Sequence, residues 1–131
     1  MPAGIGVDIY ALSVYTVPMM IIALESFERA AKKARLALTE REALILMLER
    51  FPESGDLIPG AGGARKLRLA REGGGKSGGY RVITYFGGGA LPVYLLDVYA
   101  KNVKTDLSSD EKKLIKALCK ELLKSHRDKM I

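Results

Sequence analysis

The chain has 131 residues, 48% apolar and 27% charged, with 21 Lys and Arg against 15 Asp and Glu for a formal net charge of +6. That composition suits one globular domain with a modest core and excludes disorder, and no apolar run approaches the ~20 residues needed to cross a bilayer. A lone cysteine, Cys119, excludes an internal disulfide and fits a reducing cytoplasm; one cysteine with one histidine, His126, excludes the usual zinc clusters, so neither metal nor cofactor is expected.

Residues 1–18 read as an N-terminal extension, apolar and Tyr-containing, with Asp8 as its only charged side chain. The extension lacks the basic start of a signal peptide. It reads either as an extra strand or as translation counted from too early a start, and the domain proper is expected over 19–131. Met19–Leu24 is a short β-like run and the expected first strand. Ser26 is placed to cap a helix from Phe27, in which Phe27, Ala31, Ala34 and Leu38 recur at helical spacing. Thr39 and Glu42 spell a capping box for a second helix, with Leu44, Met47, Leu48 and Phe51 as its apolar stripe and Pro52 as its stop. The two helices should form a hairpin over one sheet face, and Glu53–Pro59 reads as a turn-rich link.

The stretch Gly60–Phe86 carries the chemistry. In Ala64–Ala70, Lys66 and Arg68 alternate with Leu67 and Leu69, the pattern of a strand that buries leucines and shows cations. In Tyr80–Phe86, Arg81, Ile83 and Tyr85 share one face while Val82, Thr84 and Phe86 share the other. Five glycines surround Lys76 and Ser77 in the intervening Arg71–Gly79 loop. Arg65, Lys66, Arg68, Arg71, Lys76 and Arg81 against Glu72 leave +5 on this unit. Concentrated cations beside accessible backbone suit a phosphate-bearing partner; a solvated basic face is the plainer alternative. The Gly-Gly-Gly-Lys-Ser run is not a P-loop, because Ala70 stands where the motif's first glycine belongs and a strand follows instead of a helix.

After the turn at Gly87–Gly89, Val93, Leu95, Asp97 and Tyr99 are expected to alternate with Tyr94, Leu96 and Val98 in an internal strand that delivers Lys101 and Asn102 to a sheet rim. Ser108 and Glu111 form a capping box for a last helix to Lys124, with Leu114, Ile115, Leu118 and Leu122 inward and Cys119 a small buried hydrophobe beside them. RNA cleavage needs a base, an acid and charge stabilisation around a phosphate. There is no His pair here, and crowded cations are what the chain offers. A Lys brought toward neutrality by like charges can move a proton, and Arg can grip phosphoryl oxygens with two donors.

Three segments, GxGGxRKxRxA at Gly60–Ala70, GKSGGxRVIxY at Gly75–Tyr85 and YAKNxKxDL at Tyr99–Leu107, together resemble the RelE/HigB superfamily of toxins from toxin–antitoxin modules, nearest its HigB-like branch. The resemblance runs from about Ile22 to about Lys124. It implies a small α/β (α+β) fold with a twisted, mainly antiparallel sheet, an N-terminal helical hairpin and a C-terminal helix. It also implies a cytoplasmic endoribonuclease that cuts mRNA in the ribosomal A site and is silenced by a cognate antitoxin, in a complex that can bind operator DNA; no membrane is involved. By the same resemblance Lys66, Arg68, Arg81 and Lys101 are catalytic, Arg81 gripping the phosphate. Arg65, Lys76, Tyr85 and Asn102 are candidates for substrate contact. Arg68 stands where some relatives carry a basic Lys, and Leu107 about where they carry a stacking Tyr, so the base is open among Lys66, Lys76 and Lys101. Two other readings stand beside this one: a non-catalytic RNA- or DNA-binding domain, and a degenerate toxin acting only in antitoxin binding and autoregulation.

Overall fold

A computed structural model describes residues 19–73 and 78–129; the N-terminal extension and Lys76 lie outside the described residues. In chain order the elements are β1 (Ile21–Ala23), α1 (Glu25–Ala34), α2 (Leu38–Arg50), β2 (Asp56–Leu57), β3 (Arg65–Leu69), β4 (Tyr80–Phe86), β5 (Val93–Ala100) and α3 (Ser109–Lys129). The strands make one sheet in the order β1-β5-β4-β3-β2. β1 runs parallel to β5, and every other pair is antiparallel. The expected mainly antiparallel α+β fold is what forms. Its one parallel pair joins strands far apart in sequence, as a parallel pair requires a long connection.

Alternation divides the apolar side chains between two cores. Leu67, Leu69, Tyr80, Val82, Val93, Leu95 and Val98 pack with Phe27 and Ala31 of α1 and Leu44 and Leu48 of α2. On the opposite face Ile83, Tyr85, Leu96 and Tyr99 pack with Cys119, Ile115, Leu118 and Leu122 of α3. The helical hairpin thus covers one face and α3 the other. β5 departs from simple alternation. Ile83 pairs with Asp97 but Thr84 pairs with Leu95, so Leu96 is an extra residue at a β-bulge. The bulge flips the parity beyond it: Val98, not Asp97, continues the face of Val93 and Leu95.

Helix ends differ from the expected ones for local reasons. α1 begins at Glu25, and the Ser26 hydroxyl does not cap it but donates to the Leu96 carbonyl at 2.8 Å, tying the helix to β5. Arg35, at φ 58°, ends α1 in the left-handed region, so Leu38 leaves the α1 stripe and opens α2 at 71% exposure. At that end Glu40, not Glu42, completes the cap, accepting from the Ala37 N–H at 2.7 Å. Phe51 lies past the helix and is exposed, as is Leu114 of α3. The Ser108–Glu111 box forms as expected, with N–H···O contacts of 2.8 and 3.1 Å. Cys119 is buried, and burial pushes its thiol up to about 11. The link before β3 contributes a short edge strand, β2.

Candidate active site

β3 and β4 place their cations by register. Arg68 stands opposite Arg81, and Lys66 opposite Ile83, which fixes all three on the α3 side of the sheet. α3 covers Ile83 and Tyr85 but not this end of the strands. Lys66, Arg68 and Arg81 therefore line an open groove of about 560 Å³, walled by Gly55 and Asp56 at the β2 edge and by Thr105. Gly55 must be glycine: φ is +91°, and a Cβ there would lie 2.6 Å from the Lys66 carbonyl oxygen. The Arg65 guanidinium donates to the Gly55 carbonyl at 3.0 Å, so Arg65 braces the groove's wall and does not line it.

The segment after β5 folds over the groove's other side. The Lys66 ammonium meets the Asp106 carboxylate at 3.2 Å. The Leu107 N–H donates to the same carboxylate at 2.7 Å, and that bond, with Lys66, holds Asp106 below its usual pKa. Leu107 itself is buried against the α3-side core. Lys104 pairs with Glu111 and lies 5.0 Å from the Tyr99 ring centre. Burial raises the Tyr99 phenol, whose hydroxyl has no hydrogen-bond partner among the described residues.

The other predicted residues divide. The Lys101 N–H donates to the Gly79 carbonyl at 3.0 Å, two residues before Arg81, so Lys101 sits at the same end of β4 and β5 as Arg81. Both Lys101 and Asn102 are exposed in the turn that follows β5, outside the groove lining. Tyr85 is buried among the α3-side core residues, and a Cβ on Gly63 would lie 3.3 Å from its ring, so the structure sets it apart from the three cations. Among the described residues no three or more His, Cys, Asp or Glu side chains converge as metal ligands. No described helix is long and apolar enough to cross a membrane.

Two carboxylates escaped the sequence reading. Asp106 is 40 residues from Lys66, and the sequence offered it only as the Asp of the YAKNxKxDL segment. Glu40 is buried and accepts three hydrogen bonds: from the Ala37 N–H at 2.7 Å, the Glu72 N–H at 2.7 Å and the Tyr80 hydroxyl at 2.9 Å. It thereby anchors both flanks of the glycine-rich loop to α2. Burial would raise its pKa, but those three donors, with Arg71 nearby, outweigh it and hold Glu40 low. The local signal was present, since Glu40 lies three residues after Ala37. The Thr39–Glu42 spacing simply matched the sequence rule better.

A family model described as the RelE toxin of the RelE/RelB toxin–antitoxin system matches residues 19–131. Among solved structures, a double mutant of the E. coli toxin RelE in the free state is similar at a TM-score of 0.46 and 22% identity, over 67% of this chain and 88% of that one. With the family match running from two residues before β1 to the last residue of the sequence, the chain belongs to the RelE toxin family.

Proposed function

We propose that this protein is a ribosome-dependent mRNA endoribonuclease, the toxin of a pair whose antitoxin masks the cation groove. The observation that carries the reading is the convergence of Lys66, Arg68 and Arg81 on one open groove. The motif resemblance to HigB-like toxins points the same way. Three cations on adjacent antiparallel strands suit a phosphodiester. Arg68 and Arg81 can each present two donors to non-bridging oxygens. The RNA 2′-hydroxyl is the nucleophile; its oxygen bonds to phosphorus, the bond to the 5′-oxygen breaks, and a 2′,3′-cyclic phosphate remains. Lys66, ion-paired to Asp106, stands as a cation suited to stabilising that charge and protonating the leaving oxygen. The 2′-hydroxyl proton then falls to Lys101, at the same strand ends, or to Lys76. With this incomplete acid–base set the ribosome supplies the in-line geometry, an alignment that can contribute ~7–11 kcal/mol.

One observation favours the rival reading of a non-catalytic RNA-binding domain: Lys101 does not line the groove. The two readings separate on expression in cells with transcript ends mapped by primer extension. Cleavage at discrete sites in translated transcripts, with growth arrest, supports the nuclease. Growth arrest without any cut transcript refutes it.

A further inference from the structure

The cation groove is not the chain's sole concentration of positive charge. On α3, Lys113, Lys116, Lys120, Lys124 and Arg127 follow one another at spacings of three, four, four and three residues. At helical pitch these positions fall within about a quarter-turn of one another and extend roughly 21 Å along the axis. All five are exposed. Between residues 112 and 127 the only carboxylate is Glu121, against six cations. Among the residues whose side chains are described, which end at Arg127, none of the five takes part in a salt bridge.

A solvated helix face ordinarily interleaves signs. Like charges at three- and four-residue spacing each cost about 0.2–0.5 kcal/mol, and this stripe stacks four such pairs in sequence. The C-terminal dipole of the helix would favour Lys124 and Arg127, but it does not account for Lys113 and Lys116, which lie in the first half. The stripe is also held in place. The Gly60–Gly63 turn that leads into β3 packs on the helix at Lys116, where a Cβ on Gly62 would lie 3.1 Å from the Lys116 Cα. The row of charge is thus rigidly fixed to the strand that carries Lys66 and Arg68, while the inward face of α3 is committed to the core through Ile115, Leu118, Cys119 and Leu122.

We infer that this outer face of α3 is a second RNA-binding surface, a rail for the phosphate backbone of structured RNA on the ribosome. The inference rests on the ribosome-dependent reading and adds a contact that the groove does not supply. A straight, rigid row of cations complements the regular phosphates of a duplex better than it does a flexible single strand, and it carries no base-reading groups, so binding is sequence-independent. The groove takes the strand to be cut, and the rail docks the domain so that the groove meets it.

The test uses the full chain and a triple variant, Lys113→Gln, Lys120→Gln and Lys124→Gln, which keeps good helix formers and leaves the groove untouched. Binding is measured to vacant ribosomes and to a short RNA duplex of arbitrary sequence, across a range of salt. Counterion release predicts that loss of three phosphate contacts makes the variant's affinity about 40-fold less salt-sensitive than wild type between 50 and 200 mM. Thermal melting should show the variant at least as stable as wild type, so that weaker binding is not unfolding. Equal affinity and equal salt slope for both proteins on both probes overturn the inference. So does a variant that binds RNA normally but loses affinity for polyglutamate, which would make the face a site for an acidic protein. If the rail-dependent binding is seen while wild type cuts no transcript, the docking surface stands and the nuclease reading fails.

Discussion

Glu40 is the side chain on which the anchoring of the glycine-rich loop depends most, and its removal gives a calculable loss. Glu40→Ala leaves three donors without their acceptor: the Ala37 and Glu72 N–H groups and the Tyr80 hydroxyl. Tyr80 is almost fully buried, and its alternative acceptor, the Arg35 carbonyl, lies at 3.5 Å. An unsatisfied buried hydroxyl costs about 1–3 kcal/mol, and each partly buried N–H about 0.5–1.5 kcal/mol. The sum is about 2–6 kcal/mol, and its midpoint of ~4 kcal/mol lowers the melting temperature of a domain this size by roughly 10–15 °C. The pH dependence follows from the depressed pKa. The native carboxyl titrates below its unfolded value of 4.5, so its stabilisation is complete above that value and is lost as pH falls through the lower native one. Urea denaturation followed by circular dichroism, at neutral pH and below pH ~4, measures both effects. Wild type should lose stability on acidification, and Glu40→Ala should lose less of it. A neutral-pH difference under ~0.5 kcal/mol between the two proteins would refute the reasoning.

Gly55→Ala should destabilise the domain by about 2 kcal/mol or more, since φ of +91° and a Cβ 2.6 Å from the Lys66 carbonyl oxygen force the backbone to shift; a midpoint equal to wild type in urea would contradict the close approach. Asp106→Asn should leave stability within ~0.5 kcal/mol, because the Lys66–Asp106 pair is solvent-accessible, while removing the anion beside Lys66 tightens RNA binding several-fold at low salt. Filter binding to a short single-stranded RNA checks the latter, and weaker binding by the variant would count against the groove as the RNA site.

Much of this architecture was legible in the sequence because alternation is a local property. Leu67 and Leu69 against Lys66 and Arg68 fixed which face of β3 is buried, and the same rule assigned Val82 and Ile83 to opposite cores. The rule failed at β5, where the extra Leu96 in the bulge reverses the parity of Asp97 and Val98 and nothing in eight largely apolar residues marks the position. Tyr85 had the alternation of a site residue and is in fact a core residue, because α3 covers its end of β4 and leaves the Arg81 end open. Coverage of that kind is set by where a distant helix docks. The Lys66–Asp106 pair and the Glu40 anchor join residues more than 30 positions apart and are likewise tertiary. Pattern reading placed the three groove cations correctly on shared strand faces, but it could not show that Lys101 stops short of the groove.

The proposed mechanism has Arg81 grip the non-bridging oxygens of the phosphate while the 2′-oxygen bonds to phosphorus on the ribosome. Its most direct measurement is single-turnover cleavage of a defined mRNA bound to purified ribosomes, by wild type and Arg81→Ala, with the chemical form of the new 3′ end identified. Wild type should leave a 2′,3′-cyclic phosphate and act feebly on the same RNA without ribosomes. Arg81→Ala should lose about 2.7–4 kcal/mol of transition-state stabilisation, by analogy with removing one oxyanion donor. That corresponds to a roughly 10²–10³-fold slower step in a domain that still folds. A variant that cleaves as fast as wild type, or a wild type that leaves the ribosome-bound mRNA intact, would contradict the account.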